Sequence, residues 1–283
     1  MTNTSLDISN KIDPIKIECL HALQAEADKL GLEILLVGAT ARDLFFAGGR
    51  RTEDVDIGLV VGDWSAYEKL KQQLIDSGAF NPDSKKIHRM LFTGQLKVDI
   101  IPFDGIETAE SKIIWPDDTG SMNVAGFKDV YSHALTGDLG EGRAIHIASI
   151  PGIAILKIIA WDDRHNELPT KDADDLALIL NNYANAGNFD RLYEEFSTFI
   201  TAVDGDFELA GARLLGHDMA AIMSDQTKKA VRAILAKNTV PGETDKLIEA
   251  IYKYIPGGGY ERALQLLQNL KEGIGLEQPD KAS

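Results

Sequence analysis

The chain predicts an α+β fold in two parts: a small mixed sheet flanked by helices over roughly 1–150, then a helical domain over roughly 151–283. Three observations carry this. Short β-branched apolar runs, bounded by Gly, Pro and Asp, recur in the first half. From Pro151 onward the texture changes, and PGIAILKIIAWDD, DADDLALILNNY, FDRLYEEFSTFI, DQTKKAVRAILAK and YERALQLLQNL all carry helical spacing. A length of 283 residues also suits two domains better than one.

Asp13-Pro14 reads as an N-cap with proline at the first helical position. Ile17, Leu20, Ala27 and Leu30 then recur at near-helical spacing, and Gly31 is the C-cap. Glu33–Val37 (EILLV) is a short strand. Gly38 begins a tight turn, and Thr40 caps a brief helix through Phe46 that Gly48-Gly49 breaks. Val55–Val61 is a strand, and Ser65 with Glu68 forms a capping box for a helix to about Ser77. Ile87–Phe92 and Leu96–Ile101 form a hairpin around Thr93-Gly94-Gln95, with Pro102 closing its second strand. Asp104–Gly142 is rich in Gly and Asp and yields no element; Ile145–Ile150 reads as a last edge strand.

Composition narrows the function classes. A net charge of −15 argues against a broad nucleic-acid surface, which needs clustered Lys and Arg, but leaves room for a small basic pocket. Cys19 is the only cysteine, so no internal disulfide forms and a Cys/His zinc site is disfavoured. No run approaches the ~18 apolar residues of a membrane span, and MTNTSLDISNKIDP lacks the pattern of a signal peptide. These features together predict a cytoplasmic protein.

Asp54 and Asp56 flank a single valine in TEDVDIGLV. Residues i and i+2 of a strand share a face, about 6.6 Å apart at ~3.3 Å rise per residue. Asp99 lies in LKVDIIP, another short strand. If the two strands are neighbours, three carboxylates meet at one spot. Such a cluster repels itself unless protons or cations relieve it, and hard oxygen donors suit Mg²⁺ or Mn²⁺. An isolated D-x-D is common by chance, and its ordinary reading is a pair of strand-end acids. The upstream Gly38-Ala39-Thr40 turn, opening a helix that offers N–H groups to a phosphate, shifts the balance. Arg42 either pairs with Asp43 or faces those phosphates.

VGATARD, then TEDVDI, then VDIIP resembles the signature of the nucleotidyltransferase superfamily that includes DNA polymerase beta and the CCA-adding enzymes. Fifteen residues separate Gly38 from Asp54, as that pattern allows. Lys157 in GIAILKIIAW, followed by KDADDL with Asp172 and Asp175, is similar to the nucleotidyltransferase AbiEii/AbiGii toxin family. The resemblance covers roughly residues 30–180. It implies a nucleotidyltransferase domain over 1–150 and a helical domain that completes the nucleotide and acceptor cleft. Asp54 and Asp56 would hold two Mg²⁺ (or Mn²⁺) ions, and Asp99 would complete the site for the nucleophile. Gly38 and Thr40 would contact the β- and γ-phosphates, and Lys157 the triphosphate. Asp172 and Asp175 would orient that lysine or the acceptor. The departure is Ala39, where many members carry Gly or Ser. On residue type alone, Lys157 is a snorkelling lysine and Asp172 and Asp175 suit a helix start.

The implied activity is transfer of an NMP from an NTP to a hydroxyl, with pyrophosphate released. The acceptor is an RNA 3′ end, a protein side chain or a small molecule, and the toxin resemblance implies an antitoxin partner. The competing class is a nucleotide-sensing module that keeps the fold with little turnover; Ala39 is its main support. Trp115, in the unassigned loop, is the tryptophan best placed for nucleotide stacking. Arg164 and His165 read as solvated loop charge, and Gly257-Gly258-Gly259 as a helix-breaking turn.

Overall fold

The computed structural model describes residues 5–47, 52–117, 120–168, 170–242 and 244–276. Its compact units are Met1–Ser149 and Ile150–Ser283.

The first unit begins with β1 (Leu6–Asp7), α1 (Pro14–Leu30), β2 (Ile34–Val37) and α2 (Gly38–Arg42). It continues with β3 (Asp54–Val60), α3 (Trp64–Asp76), β4 (Phe80–Pro82), β5 (Arg89–Phe92) and β6 (Leu96–Phe103). A separate ribbon of β7 (Lys112–Ile114) and β8 (Ser121–Asn123) precedes α4 (Phe127–Ser132), β9 (Leu135–Gly140) and β10 (Arg143–Ile147). The main sheet is mixed, with strand order β1-β9-β10-β2-β3-β6-β5-β4. Its centre is β2, β3 and β6; β2 and β3 run antiparallel, and β3 and β6 parallel. Ile34, Leu35, Leu36, Val55, Ile57, Leu59, Val98 and Ile100 are all buried there, which is why these runs read as near-continuous apolar strands.

Several local expectations need correction. Asp13 makes no side-chain capping bond, although Pro14 does open α1. Thr40 does not cap a helix; it lies inside α2, which starts at Gly38 and ends at Arg42. Gly48-Gly49 lies outside the described residues. The cap of α3 is Asp63, whose carboxylate accepts from Ala66 N–H at 2.8 Å, so the Ser65/Glu68 box is displaced by a better acceptor slightly earlier in the chain. Pro102 does not close β6, which runs on to Phe103. There β5 has ended its pairing at Asp99, so the position of the missing N–H meets no ladder partner on that side. The strand predicted at Ile145–Ile150 is β10, and it is no edge: it pairs with β2 on one side and β9 on the other. The pairing with β2 is remote in sequence, which a local pattern does not report.

The second unit is helical: α5 (Ile150–Arg164), α6 (Lys171–Asn182), α7 (Phe189–Glu194), α8 (Ser197–Thr201), α9 (Phe207–Ile222), α10 (Asp225–Asn238), α11 (Lys246–Ile251) and α12 (Tyr260–Gly275). FDRLYEEFSTFI is two short helices rather than one. Helices α9 and α12 approach closely at two glycines. A Cβ at Gly216 would stand 2.9 Å from Ile274 N, and one at Gly273 2.8 Å from His217 N. Small residues there let the backbones touch and bury Leu215, Met219, Leu267 and Leu270. No helix among the described residues is long and apolar enough to cross a membrane.

Candidate active site

One line of register builds the site. Val37 of β2 pairs with Asp56 of β3, Asp56 with Asp99 of β6, and Asp99 with Arg89 of β5. Residues at one level across adjacent strands share a face. Asp54, two residues before Asp56, shares it too. Carboxylate oxygens of Asp54, Asp56 and Asp99 accordingly lie within 4.8 Å of one another. Asp99 is buried, while Asp54 and Asp56 are partly open to solvent.

Each acid is held from a different direction. Thr52 Oγ1 donates to Asp54 Oδ1 at 2.5 Å. The Asp99 carboxylate is gripped by both arms of the Arg89 guanidinium, with Nε at 2.6 Å from Oδ1 and Nη2 at 2.7 Å from Oδ2. The same Nη2 lies 3.9 Å from Asp54 Oδ2. The hydrogen bonds to Asp99 hold the Arg89 pKa above its usual value, against the opposing pull of partial burial. Asp56 lies under Gly38, whose φ of +69° suits glycine. A Cβ at that position would stand 2.8 Å from Asp56 Cγ, and closer still to its Oδ2.

Behind these acids sits Lys16 of α1, 6% exposed. Its ammonium donates to Thr40 Oγ1 at 3.3 Å and to the Thr52 carbonyl at 3.1 Å. Thr40 in turn donates to the Asp54 carbonyl at 3.0 Å. Burial lowers the Lys16 pKa, and Asp13, Asp43, Asp54 and Asp56 pull it back up. Lys16, Thr40, Thr52, Asp43 and the Asn10–Pro14 segment line a cleft of about 370 Å³.

The remaining predicted residues sort differently. Thr40 is 1% exposed, and its hydroxyl donates to the Asp54 carbonyl and accepts from Lys16, bracing α2 on β3. Arg42 has no exposed surface and its guanidinium pairs with Asp43, with Nε at 2.9 Å from Oδ1. Of its two readings, the local ion pair is the one present. Ala39 is buried. Trp115 is closed in by Trp64, Tyr67 and a stacked His88 ring at 5.3 Å, and it offers no face for a base.

In the second unit, Lys157, Asp172 and Asp175 do come together, as a buried ion cluster joining α5 to α6. Lys157 Nζ lies 3.1 Å from Asp172 Oδ1 and pairs with Asp175 Oδ2. Arg164 adds a fork to Asp172, at 2.7 and 2.8 Å, so it is no free loop charge. His165 stacks on Trp161 with ring centroids 4.5 Å apart. The Lys157 ammonium thus pairs with two carboxylates and is itself buried.

Lys16, Thr52 and Arg89 escape a reading of the sequence. Arg89 had a usable signal. Counting back three from Phe92 and forward three from Leu96 across the hairpin lands on Arg89 and Asp99, the pair observed. Lys16 had none, because its partners are 24 and 36 residues away.

No protein-family model matches the chain, and no curated protein does. Among solved structures it is similar to an antigenic nucleotidyltransferase-like protein from Paracoccidioides brasiliensis, at 16% identity and a TM-score of 0.40, covering 72% of this chain and 96% of that one. It is similar to the antibiotic-resistance factor ANT(2'')-Ia at 14% identity and a TM-score of 0.37, covering 68% and 95%. For the Thermotoga maritima CCA-adding enzyme complexed with tRNA the values are 15% and 0.27, covering 96% and 86%. Likeness at this level carries no argument about activity, which has to come from the chain's own residues.

Proposed function

We propose that the chain is a nucleotidyltransferase dependent on Mg²⁺ or Mn²⁺, moving an NMP from an NTP to a hydroxyl acceptor and releasing pyrophosphate. The observation that carries the reading is the convergence of Asp54, Asp56 and Asp99 from neighbouring parallel strands to within 4.8 Å. Three hard oxygen donors, partly solvent-open, fit a divalent ion that keeps positions for water and phosphate. Ions bound there supply a lowered pKa at the acceptor hydroxyl and neutralise the triphosphate and the leaving pyrophosphate.

The protein's own groups provide position and charge. Asp54, oriented by Thr52, and Asp56, under Gly38, are the ligands on β3. Asp99 on β6 completes the set on the side of the acceptor. Gly38, having no side chain, leaves room for the Asp56 carboxylate to pack against the start of α2, the end from which the triphosphate would approach. Lys16 fixes a positive charge beside Asp54 and Asp56. Such a site works by positioning and preorganised electrostatics, with no covalent intermediate on the protein. The net charge of −15 favours a small molecule or a protein hydroxyl over a long RNA. A toxin role with an antitoxin partner rests on the sequence resemblance alone.

The test is incubation with each α-labelled NTP and Mg²⁺, supplied with cellular RNA, protein or small-molecule fractions. Label appears in one fraction with wild type and not with Asp56→Asn, which still folds because the change relieves an anionic cluster. NTP binding without pyrophosphate release in any fraction favours the nucleotide sensor.

A further inference from the structure

The three acids of β3 and β6 would repel one another if nothing positive stood among them, and the structure has Arg89 there. Its fork spans both oxygens of Asp99 and its Nη2 reaches to 3.9 Å from Asp54. The position is built in: Arg89 is the register partner of Asp99, so β5 cannot pair with β6 without delivering the guanidinium to this point. Its side chain is largely enclosed, at 13% exposed, and unlike a lysine it cannot lose its charge at any ordinary pH.

Resting on the nucleotidyltransferase reading, we infer that Arg89 is a resident counter-cation that holds Asp99 in place and competes with free divalent ions, so that metal enters efficiently only together with the nucleotide. The charge count supports this. Three carboxylates bring −3 and Arg89 brings +1, while the nearby Lys16 is offset by Asp13 and Asp43, which leaves about −2 to attract a bare ion. Two divalent ions alone would turn that into a positive excess at short range. The same ions arriving on a triphosphate bring their own neutralising charge. The fork also takes one lone-pair position on each Asp99 oxygen, leaving fewer for a metal. Arg89 acts through Asp99 and Asp54, so it is a positioning residue, and its effect falls on metal affinity before it falls on chemistry.

The experiment measures free Mn²⁺ by electron paramagnetic resonance in titrations of the full chain, first without nucleotide and then with a non-hydrolysable NTP, comparing wild type, Arg89→Gln, Arg89→Lys and Asp56→Asn. Arg89→Gln is expected to bind Mn²⁺ about tenfold more tightly or better, since a positive charge a few ångströms from the ion is gone. Arg89→Lys, which keeps the charge, stays close to wild type. A second readout is the melting temperature: Arg89→Gln melts lower than wild type in EDTA, and Mn²⁺ alone restores it. Should Arg89→Gln prove too unstable to purify, Arg89→Met keeps the stem and tests the same charge loss. Unchanged or weaker Mn²⁺ binding in the neutral variant, with binding still abolished by Asp56→Asn, overturns this inference alone. Equal Mn²⁺ binding by Asp56→Asn and wild type in the presence of NTP overturns the metal site and the nucleotidyltransferase reading with it.

Discussion

Gly38 and Asp56 touch through a space that no side chain can share. Gly38 has φ +69°, and a Cβ added to it would stand 2.9 Å from Asp56 Cβ and 2.8 Å from its Cγ. Two constraints coincide at one residue: a left-handed backbone and a carboxylate packed against it. Gly38→Ala should therefore lose both stability and site geometry. The backbone strain alone costs about 1 kcal/mol or more, and displacement of Asp56 adds to it. Urea unfolding should show the midpoint falling with the m-value unchanged, and metal binding should weaken more than global stability does. A variant as stable as wild type would mean that Asp56 moves aside freely.

The carboxylate site was legible because it rests on local rules. Two-residue periodicity put Asp54 and Asp56 on one face, and the apolar runs around Asp99 marked β6 as a buried strand. What sequence reading lost was non-local. The interior place of β10 depends on pairing with β2, more than a hundred residues earlier. Lys16 reaches the site from α1 through contacts that no spacing rule connects. The surroundings of Thr40 and Arg42 were hidden for a related reason: residue type suggested a phosphate contact, but it does not report that both side chains are buried. Lys157, Asp172 and Asp175 do group together, yet their depth turns them into partners of one another.

That ion cluster predicts an asymmetric response to mutation. Asp172 and Asp175 are wholly buried and face Lys157, itself buried. Removing one carboxylate leaves an ammonium without full compensation in a low-dielectric setting. Asp175→Ala should destabilise the second unit by about 3–5 kcal/mol. The double variant Lys157→Met/Asp175→Leu removes both charges and should recover most of that loss. Denaturant titrations of the two variants check it; equal destabilisation would show that packing, not charge, holds α5 to α6.

Asp172 also sets an acid limb. Burial alone would raise its pKa, but the hydrogen bonds and charges of Arg164 and Lys157 outweigh it and hold the carboxyl below the usual range. A carboxyl with a depressed folded pKa stabilises at pH values above its unfolded pKa, about 3.9, and that contribution is lost as pH falls through the folded pKa. Stability of the second unit should thus show no loss from this group down to about pH 4 and decline below it. Asp172→Asn lowers stability at neutral pH and flattens the acid decline. A decline of unaltered steepness would assign it to other carboxylates.

Cys19 offers an independent reporter on the first unit. It lies on the buried face of α1 with no exposed surface, on the same helix as buried Leu20, Leu23 and Ala27. Burial pushes its thiol pKa up to about 12, so almost no thiolate exists near neutral pH in the folded state. Both access and reactivity are withheld by the same packing. A thiol reagent under mildly alkaline conditions should leave native protein unlabelled and label its single thiol once urea unfolds it. Because Lys16 projects from the same helix, ligands that engage the cleft should slow labelling at intermediate urea, as any ligand binding only the native state does by mass action. Rapid stoichiometric labelling without denaturant would mean that α1 opens readily and that the Lys16 contacts to Thr40 and Thr52 are not persistent.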